Sequence, residues 1–411
     1  MKYLLPLLFL ILLGCNTENE EDKEQIIFHT KEPYWRAVLE VSGGDLPFNF
    51  DLFKKGEDYF VELHNDTEKL LVKNVRVEHD SIFIPGYIFE SEIQAKIVDG
   101  DHLEGKYVRF DTDEPYEIPF YAIYHQKFRF SPHPLPPTVN VNGRWEITFD
   151  HEGELTKAIG VFRQEKNHLT GTFMTPTGDY RYLDGEVDRD EIHLSCFDGA
   201  HAFLFEAKVD SLGEIKGKFF SGKHWEENWT AIRNDSFELP DADTMTHLIE
   251  GYDKITFEFP ETKTGKILSL EEERFKGKVT LVQIMGSWCP NCMDETVFLR
   301  DLKNEFPDVE IIGLAFEKTD DFKSAAKRVN KVKDKLNANY PFVIAGTANK
   351  KEAGKALPML DHILSYPTTI MIDKKGKVRN IHTGFTGPGT GDVYKKFTEK
   401  YVQMVKKLLD E

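Results

Sequence analysis

Two cysteines with two residues between them, in the run Trp288-Cys289-Pro290-Asn291-Cys292, are the residues of this 411-residue chain whose type and spacing most directly imply chemistry. The apolar run Val279 to Met285 precedes them and a helical stretch from Asn291 to Glu305 follows, which places Cys289 at a helix start. Free amides and the macrodipole at such a position favour an anion, so the thiolate is stabilised there. Cys289, nearer the start and expected to be the more exposed, is the candidate attacking thiolate. Cys292, one turn inside, is placed to resolve the mixed disulfide. The competing uses of the pair are weaker. Tetrahedral zinc needs four ligands, and no second CxxC or nearby HxxxH supplies the other two. A structural disulfide closing a two-residue loop removes little chain entropy.

The elements around the pair alternate. Val309 to Phe316 reads as a strand, Asp320 to Leu336 as a helix with lysines on its outer face, and Pro341 to Ile344 as a short strand. A short helix over Lys350 to Leu360 follows. The strands Thr368–Asp373 and Val378–His382 flank the turn Lys374-Lys375-Gly376-Lys377 as a hairpin. A final amphipathic helix covers Asp392 to Leu409. Such alternation predicts a central sheet covered on both faces. Seventy-five residues beyond Cys292, directly before one of these strands, stands Tyr366-Pro367. The glycine-rich stretch Gly384 to Gly391 lacks the Lys and the strand–helix setting of a phosphate loop and reads as the lead into the last helix.

The run Gly286-Ser287-Trp288-Cys289-Pro290-Asn291-Cys292, with Tyr366-Pro367-Thr368-Thr369 downstream, resembles the TlpA-like disulfide reductases of the thioredoxin superfamily. The resemblance covers roughly residues 250 to 411. It implies an α/β thioredoxin fold, a cis Pro367 facing the cysteines across a substrate groove, and Trp288, Pro290 and Tyr366 lining that groove. It also implies a reductase or isomerase of exported proteins' disulfides, fed with electrons by a membrane thiol-transfer protein. Its redox centre is the Cys289–Cys292 disulfide itself, with no other cofactor and no metal. Glu295 matches an acid that tunes and shuttles protons at the buried thiol; the alternative is a solvated first-turn Glu stabilised by the helix dipole. Thioredoxin itself carries a buried Asp six residues before its first Cys, where this chain has Gln283. Gln cannot accept a proton, so a general-base role falls to Glu295 or water. A peroxiredoxin reading fails because Val282 to Cys289 does not supply the Pro-x-x-x-Thr-x-x-Cys pattern.

From about residue 27 to 235 the pattern is different. Short runs such as Tyr59-Phe60-Val61-Glu62-Leu63 and Ala202-Phe203-Leu204-Phe205 alternate between turn signals, predicting antiparallel β structure with no convincing helix. The region also echoes itself at a period near 110 residues. Tyr34-Trp35-Arg36 answers Arg144-Trp145-Glu146, Asp80 to Ile84 answers Asp190 to Leu194, and Leu103 to Tyr107 answers Ile215 to Phe219. A Pro-rich stretch from Ser131 to Pro137 reads as a stiff linker between the halves. Two small barrels or sandwiches, or one larger closed sheet, fit this pattern. Cys196 lies in one of the strands and reads as a buried inert thiol. Trp225 and Trp229, with His224 and Glu226-Glu227, read as core or rim packing, with a ligand surface as the alternative.

At the N-terminus, Lys2 precedes an apolar run from Leu4 to Leu13, about half the length a membrane-spanning helix needs. It ends in Leu12-Leu13-Gly14-Cys15, which resembles a bacterial lipoprotein box with Cys15 as the lipidated residue. An acidic tether follows. The implied location is the cell envelope, lipid-anchored and facing the periplasm; Asn16 favours the outer membrane, and the acidic tether is compatible with surface display. Four cysteines, one of them Cys15, draw no disulfide framework. A net charge of −18 without any basic cluster excludes a nucleic-acid binder. The expected architecture is therefore α+β and multidomain: a signal peptide over 1–14, a tether over 15–26, β repeats over 27–130 and 139–235, and a thioredoxin-like domain over 248–411. The alternative function is a binding or scaffolding lipoprotein in which the β region does the work.

Overall fold

The computed structural model describes residues 34–411 apart from Asp113. Cys15, the segment before it and the acidic tether lie outside the described residues. Alternation of period two puts apolar side chains on one face of a strand. Strand Ser81–Pro85, for instance, buries Ile82 and Ile84 and leaves the intervening positions half-buried. That face must be covered, and here the sheets cover it by curling shut. Eight antiparallel strands between Tyr34 and Tyr124 pair in chain order, first with last, as a closed barrel. Eight more between Gly143 and Arg233 close in the same way, strand Gly143–His151 pairing with Trp225–Arg233. A two-residue strand, Gly178–Asp179, folds back on the end of His168–Thr175 as an extra hairpin.

An eight-stranded barrel has an interior that side chains can fill. Trp35, Phe48 and Phe50 fill the first, and Phe149, Phe173, Phe205 and Trp229 the second, all essentially inaccessible. Trp229 is thus core, whereas Trp225 lies on the rim and stacks on His151. Cys196 is a buried free thiol in the wall of the second barrel. The echoed sequence pairs fall at equal strand positions: Trp35 and Trp145 on the first strand of each barrel, Ile82 and Ile192 on the fifth, Gly105 and Gly217 on the seventh. A Cβ at Gly105 would meet Gln94 O at 2.0 Å, and one at Gly217 would meet Glu206 O at 2.2 Å, so both glycines admit a neighbouring strand at close range.

The barrels are not held apart by the Pro-rich stretch. Leu135 N donates to Asp188 Oδ1 at 3.1 Å and Asn167 Nδ2 to Leu135 O at 2.7 Å, which lays the stretch along the second barrel. Phe197, Ala202, Leu204 and Phe220 of the second barrel join the apolar core of the first. Burying that surface outweighs whatever separation a stiff linker favours.

The C-terminal domain has strands β1 (Thr280–Met285), β2 (Glu310–Glu317), β3 (Phe342–Thr347), β4 (Thr368–Ile372) and β5 (Val378–Thr383), with helices α1 (Pro290–Glu305), α2 (Phe322–Lys335), α3 (Lys350–Ala356) and α4 (Asp392–Asp410). The sheet order is β3-β2-β1-β4-β5, with β1, β2 and β3 parallel and β4 and β5 antiparallel to their neighbours. Every residue of β1 is buried, as a central strand covered on both faces requires. Phe298 of α1 packs on Phe397 and Tyr401 of α4, placing those helices together. The lysine-bearing side of α2 faces outward as expected at Lys323 and Lys327, and farther along the helix two lysines also reach the first barrel. Lys331 Nζ meets Glu90 Oε1 at 2.9 Å and Lys335 Nζ donates to Leu71 O at 3.1 Å, because long side chains can reach carbonyls across an interface while their stems pack.

Candidate active site

Strand β1 runs straight into the cysteine turn, and Pro290 at the first helical position starts α1 with its φ already set. Cys289 is the N-cap: its Sγ accepts the Cys292 amide at 3.3 Å. That bond, with the helix dipole behind it, stabilises negative charge on Cys289 sulfur. The thiol also donates to Tyr366 O at 3.4 Å, across a cis Tyr366–Pro367 bond that begins β4. Trp288 donates its Nε1–H to Phe316 O at 3.0 Å and meets the Tyr366 ring edge-on. The structure therefore gathers Trp288, Cys289, Pro290, Cys292, Tyr366 and Pro367 at one place. Cys289 is less open than expected, with 6% of its surface accessible, and Cys292 is wholly buried. Burial pushes the Cys292 thiol well above its ordinary range, and Cys289 beside it adds to the shift.

Glu295 is not a solvated helix residue. Its side chain points into the core, where Thr369 Oγ1 donates to Oε1 at 2.6 Å and Oε2 has no partner among the described residues. Burial raises its carboxyl to about 8, despite the bond from Thr369 that works the other way. Gln283 is equally buried and acts as a hub. Its Nε2 donates to Cys292 O and to Thr296 Oγ1, and its Oε1 accepts from Tyr340 OH at 3.0 Å. An amide can donate and accept at once. This position thus braces the first turns of α1 where an acid would serve as a base.

Sequence reasoning missed a second buried acid, Glu317 at the end of β2. It accepts both the amide and the hydroxyl of Ser287, at 2.7 and 2.6 Å, and so pins the turn before the cysteines. Burial lifts it to about 7 against those two bonds. A carboxylate at the C-terminal end of a parallel strand, where α/β folds place their sites, was the available signal.

The larger omission is the β region, which reaches the site itself. Asn291, between the two cysteines, donates from Nδ2 to Asp179 O at 3.1 Å. Ser365 Oγ donates to Thr177 O at 2.9 Å, and Gly387 N of the glycine-rich loop to Asp179 Oδ2 at 2.5 Å. Arg181 adopts φ 57, a left-handed conformation uncommon for a residue with a side chain. Its guanidinium pairs with Asp294 of α1, with Glu68 of the first barrel and with Asp198 of the second, and donates to Pro290 O. Burial alone would lower the Arg181 pKa, yet Asp294, Glu68 and Asp198 outweigh it and hold the charge firmly. No sequence pattern marks Arg181, because its partners come from three separate parts of the chain.

Comparison with known proteins agrees with this geometry. Residues 250–396 match the Redoxin family. Thioredoxin-like protein YneN of Bacillus subtilis is 27% identical over 125 residues, 30% of this chain and 66% of its own length. Thiol-disulfide oxidoreductase ResA of Bacillus thuringiensis is 30% identical over 116 residues, 28% of this chain and 58% of its own. A solved structure described as a putative protein disulfide isomerase from Bacteroides thetaiotaomicron is 19% identical, covering 40% of this chain and 93% of its own, with a TM-score of 0.30. The C-terminal region thus carries a Redoxin domain and is similar to thiol–disulfide oxidoreductases of the thioredoxin superfamily. This chain spans 66% and 58% of the two curated relatives' lengths.

Proposed function

We propose that the whole protein is an exported, lipid-anchored thiol–disulfide oxidoreductase that reduces or isomerises disulfides of exported proteins. The observation that carries this is Cys289 at the cap of α1, its sulfur bonded to the Cys292 amide and facing Tyr366-Pro367. The Cys289 thiolate attacks a substrate disulfide, forming a mixed disulfide and releasing one substrate thiolate. Cys292, once deprotonated, attacks Cys289 sulfur; the Cys289–Cys292 disulfide forms and the second substrate thiolate leaves. Two electrons pass to the substrate. Glu295, raised to about 8, is tuned to take the Cys292 proton near neutral pH. A membrane thiol-transfer protein then returns two electrons.

Cys289→Ser should abolish reduction of a short-peptide disulfide by the pre-reduced protein. Cys292→Ser should accumulate a mixed disulfide that identifies the substrate in cells. With Glu295→Gln, the first attack should proceed while resolution slows by about a hundredfold. Full activity in Cys289→Ser would sink the enzymatic reading. Anchoring is tested separately: Cys15→Ala should move the protein from the membrane to the soluble fraction. The equal strand positions of the echoed pairs support reading the two barrels as copies of one unit.

A further inference from the structure

We propose that the hairpin Thr175–Arg181 of the second barrel is a specificity wall at Cys289, admitting a disulfide on an extended chain segment and excluding one on a folded surface. The inference rests on the redox reading above and adds what that reading leaves open, the shape of the substrate.

The hairpin is seated on the rim of the reactive cysteine. Its carbonyls and side chains are bonded to Asn291 between the cysteines, to Ser365 beside Tyr366-Pro367, and to the loop amide of Gly387. The fit leaves no slack. A Cβ at Gly178, whose φ is +151, would lie 2.2 Å from Asn291 Nδ2, and one at Gly384 would lie 2.7 Å from Thr177 C. Arg181 fastens the base of the hairpin to α1 and to both barrels. What remains open beside Cys289 is a cavity of about 330 Å³, walled by Tyr180, His201 and Phe203 on the barrel side and by Trp288 and Tyr366 on the other.

That size decides the substrate shape. It lies at the small end of the range for small-molecule sites, roughly 300–1,000 Å³. A folded partner docking on a flat rim needs about 800 Å² of contact on each side, which the hairpin pre-empts. The aromatic walls suit a few residues of extended chain around a cystine. At the mouth, Arg109 and Lys318 share a single carboxylate, Asp111, with Lys318 Nζ 2.7 Å from it.

The test compares two disulfides with the full, pre-reduced chain: a pair of short peptides joined by one disulfide, and native insulin. The wild-type protein should reduce the peptide disulfide, and the variant Asp179→Ala, which frees the hairpin from Gly387, should raise the insulin rate relative to the peptide rate by about tenfold. An unchanged ratio in a folded variant overturns the wall. Failure to reduce either disulfide would instead overturn the redox reading. Should Asp179→Ala not fold, alkylation of wild-type Cys289 decides. Relative to the unfolded chain, iodoacetamide should outpace a polymer-linked maleimide by about tenfold. Equal relative rates would mean that nothing walls the thiol.

Discussion

Two buried arginines hold this molecule together, and they do so by opposite electrostatics. Arg129 joins barrel to barrel through mostly neutral acceptors: Ser195 Oγ at 2.8 Å, Asn65 Oδ1 and His64 O at 3.1 Å, with the carboxylate of Asp184 farther off at 3.5 Å. Burial lowers its pKa, and Asp184 only partly compensates. Arg181 joins both barrels to the redox domain through three carboxylates. Around it, burial raises Asp294 and Glu68, and raises Asp179 to about 6, whereas at the other junction Arg129 and His168 outweigh burial and hold Asp184 low. The barrel pair is therefore sealed by apolar contact with one satisfied cation, and the redox junction by an ion cluster with acid to spare. At the redox junction His201 and Arg181 hold Asp198 low against burial, so the junction's proton response comes from Asp179, Asp294 and Glu68.

The largest way to break this contrast is Arg181→Ala, which strands buried carboxylates without a counter-charge. It should cost about 3–5 kcal/mol in chemical denaturation. Arg129→Ala removes charged hydrogen bonds from largely neutral partners and should cost less, about 1.5–3 kcal/mol by the same measurement. Equal losses would erase the distinction.

The pH dependences contributed by Asp179 at one junction and Asp184 at the other should run in opposite directions. Asp179 has a folded pKa near 6, above its ordinary value of 3.8, so the folded state holds a proton that the unfolded chain releases. Stability then falls as pH rises from about 4 to 6, with a slope of at most about 1.4 kcal/mol per pH unit. Asp184 is shifted down, so its contribution is present above its ordinary value and is lost only as pH drops below it. Once intrinsic exchange chemistry is divided out, protection of the hairpin amides should fall between about pH 4 and 6, and Asp179→Asn should flatten that fall. The barrel–barrel amides should not respond over the same range. The smallest effect is expected at the exposed Lys331–Glu90 pair: Lys331→Ala should change stability by about 0.5 kcal/mol or less.

Much of the C-terminal domain was legible because its signals are local. A buried-strand run, a helix start and two cysteines lie within fifteen residues, and the order of later strands follows from alternating periodicity. The β character of the first half was legible for the same reason. Closure into two eight-stranded barrels was not, since period-two alternation states which face is covered and leaves open what covers it. Glu295 shows the limit well. Its place in α1 was readable, but whether it met water or core depended on Thr369, seventy-four residues away. The lysines of α2 are the converse: their outward face was legible, with Lys323 and Lys327 exposed, and only the reach of Lys331 and Lys335 to the first barrel was not.

By itself, then, the sequence determined the layout of the cysteine site: a thiol at a helix start, a second thiol one turn on, and a proline-led strand, because each depends on short-range backbone geometry. Only the tertiary structure decided how that chemistry is reached. Thr177, Asp179 and Arg181 stand more than a hundred residues before the cysteines they surround, and Glu68 more than a hundred before Arg181. No local pattern encodes such contacts. They arise from the docking of apolar barrel and domain faces, which carries the polar groups between them into register.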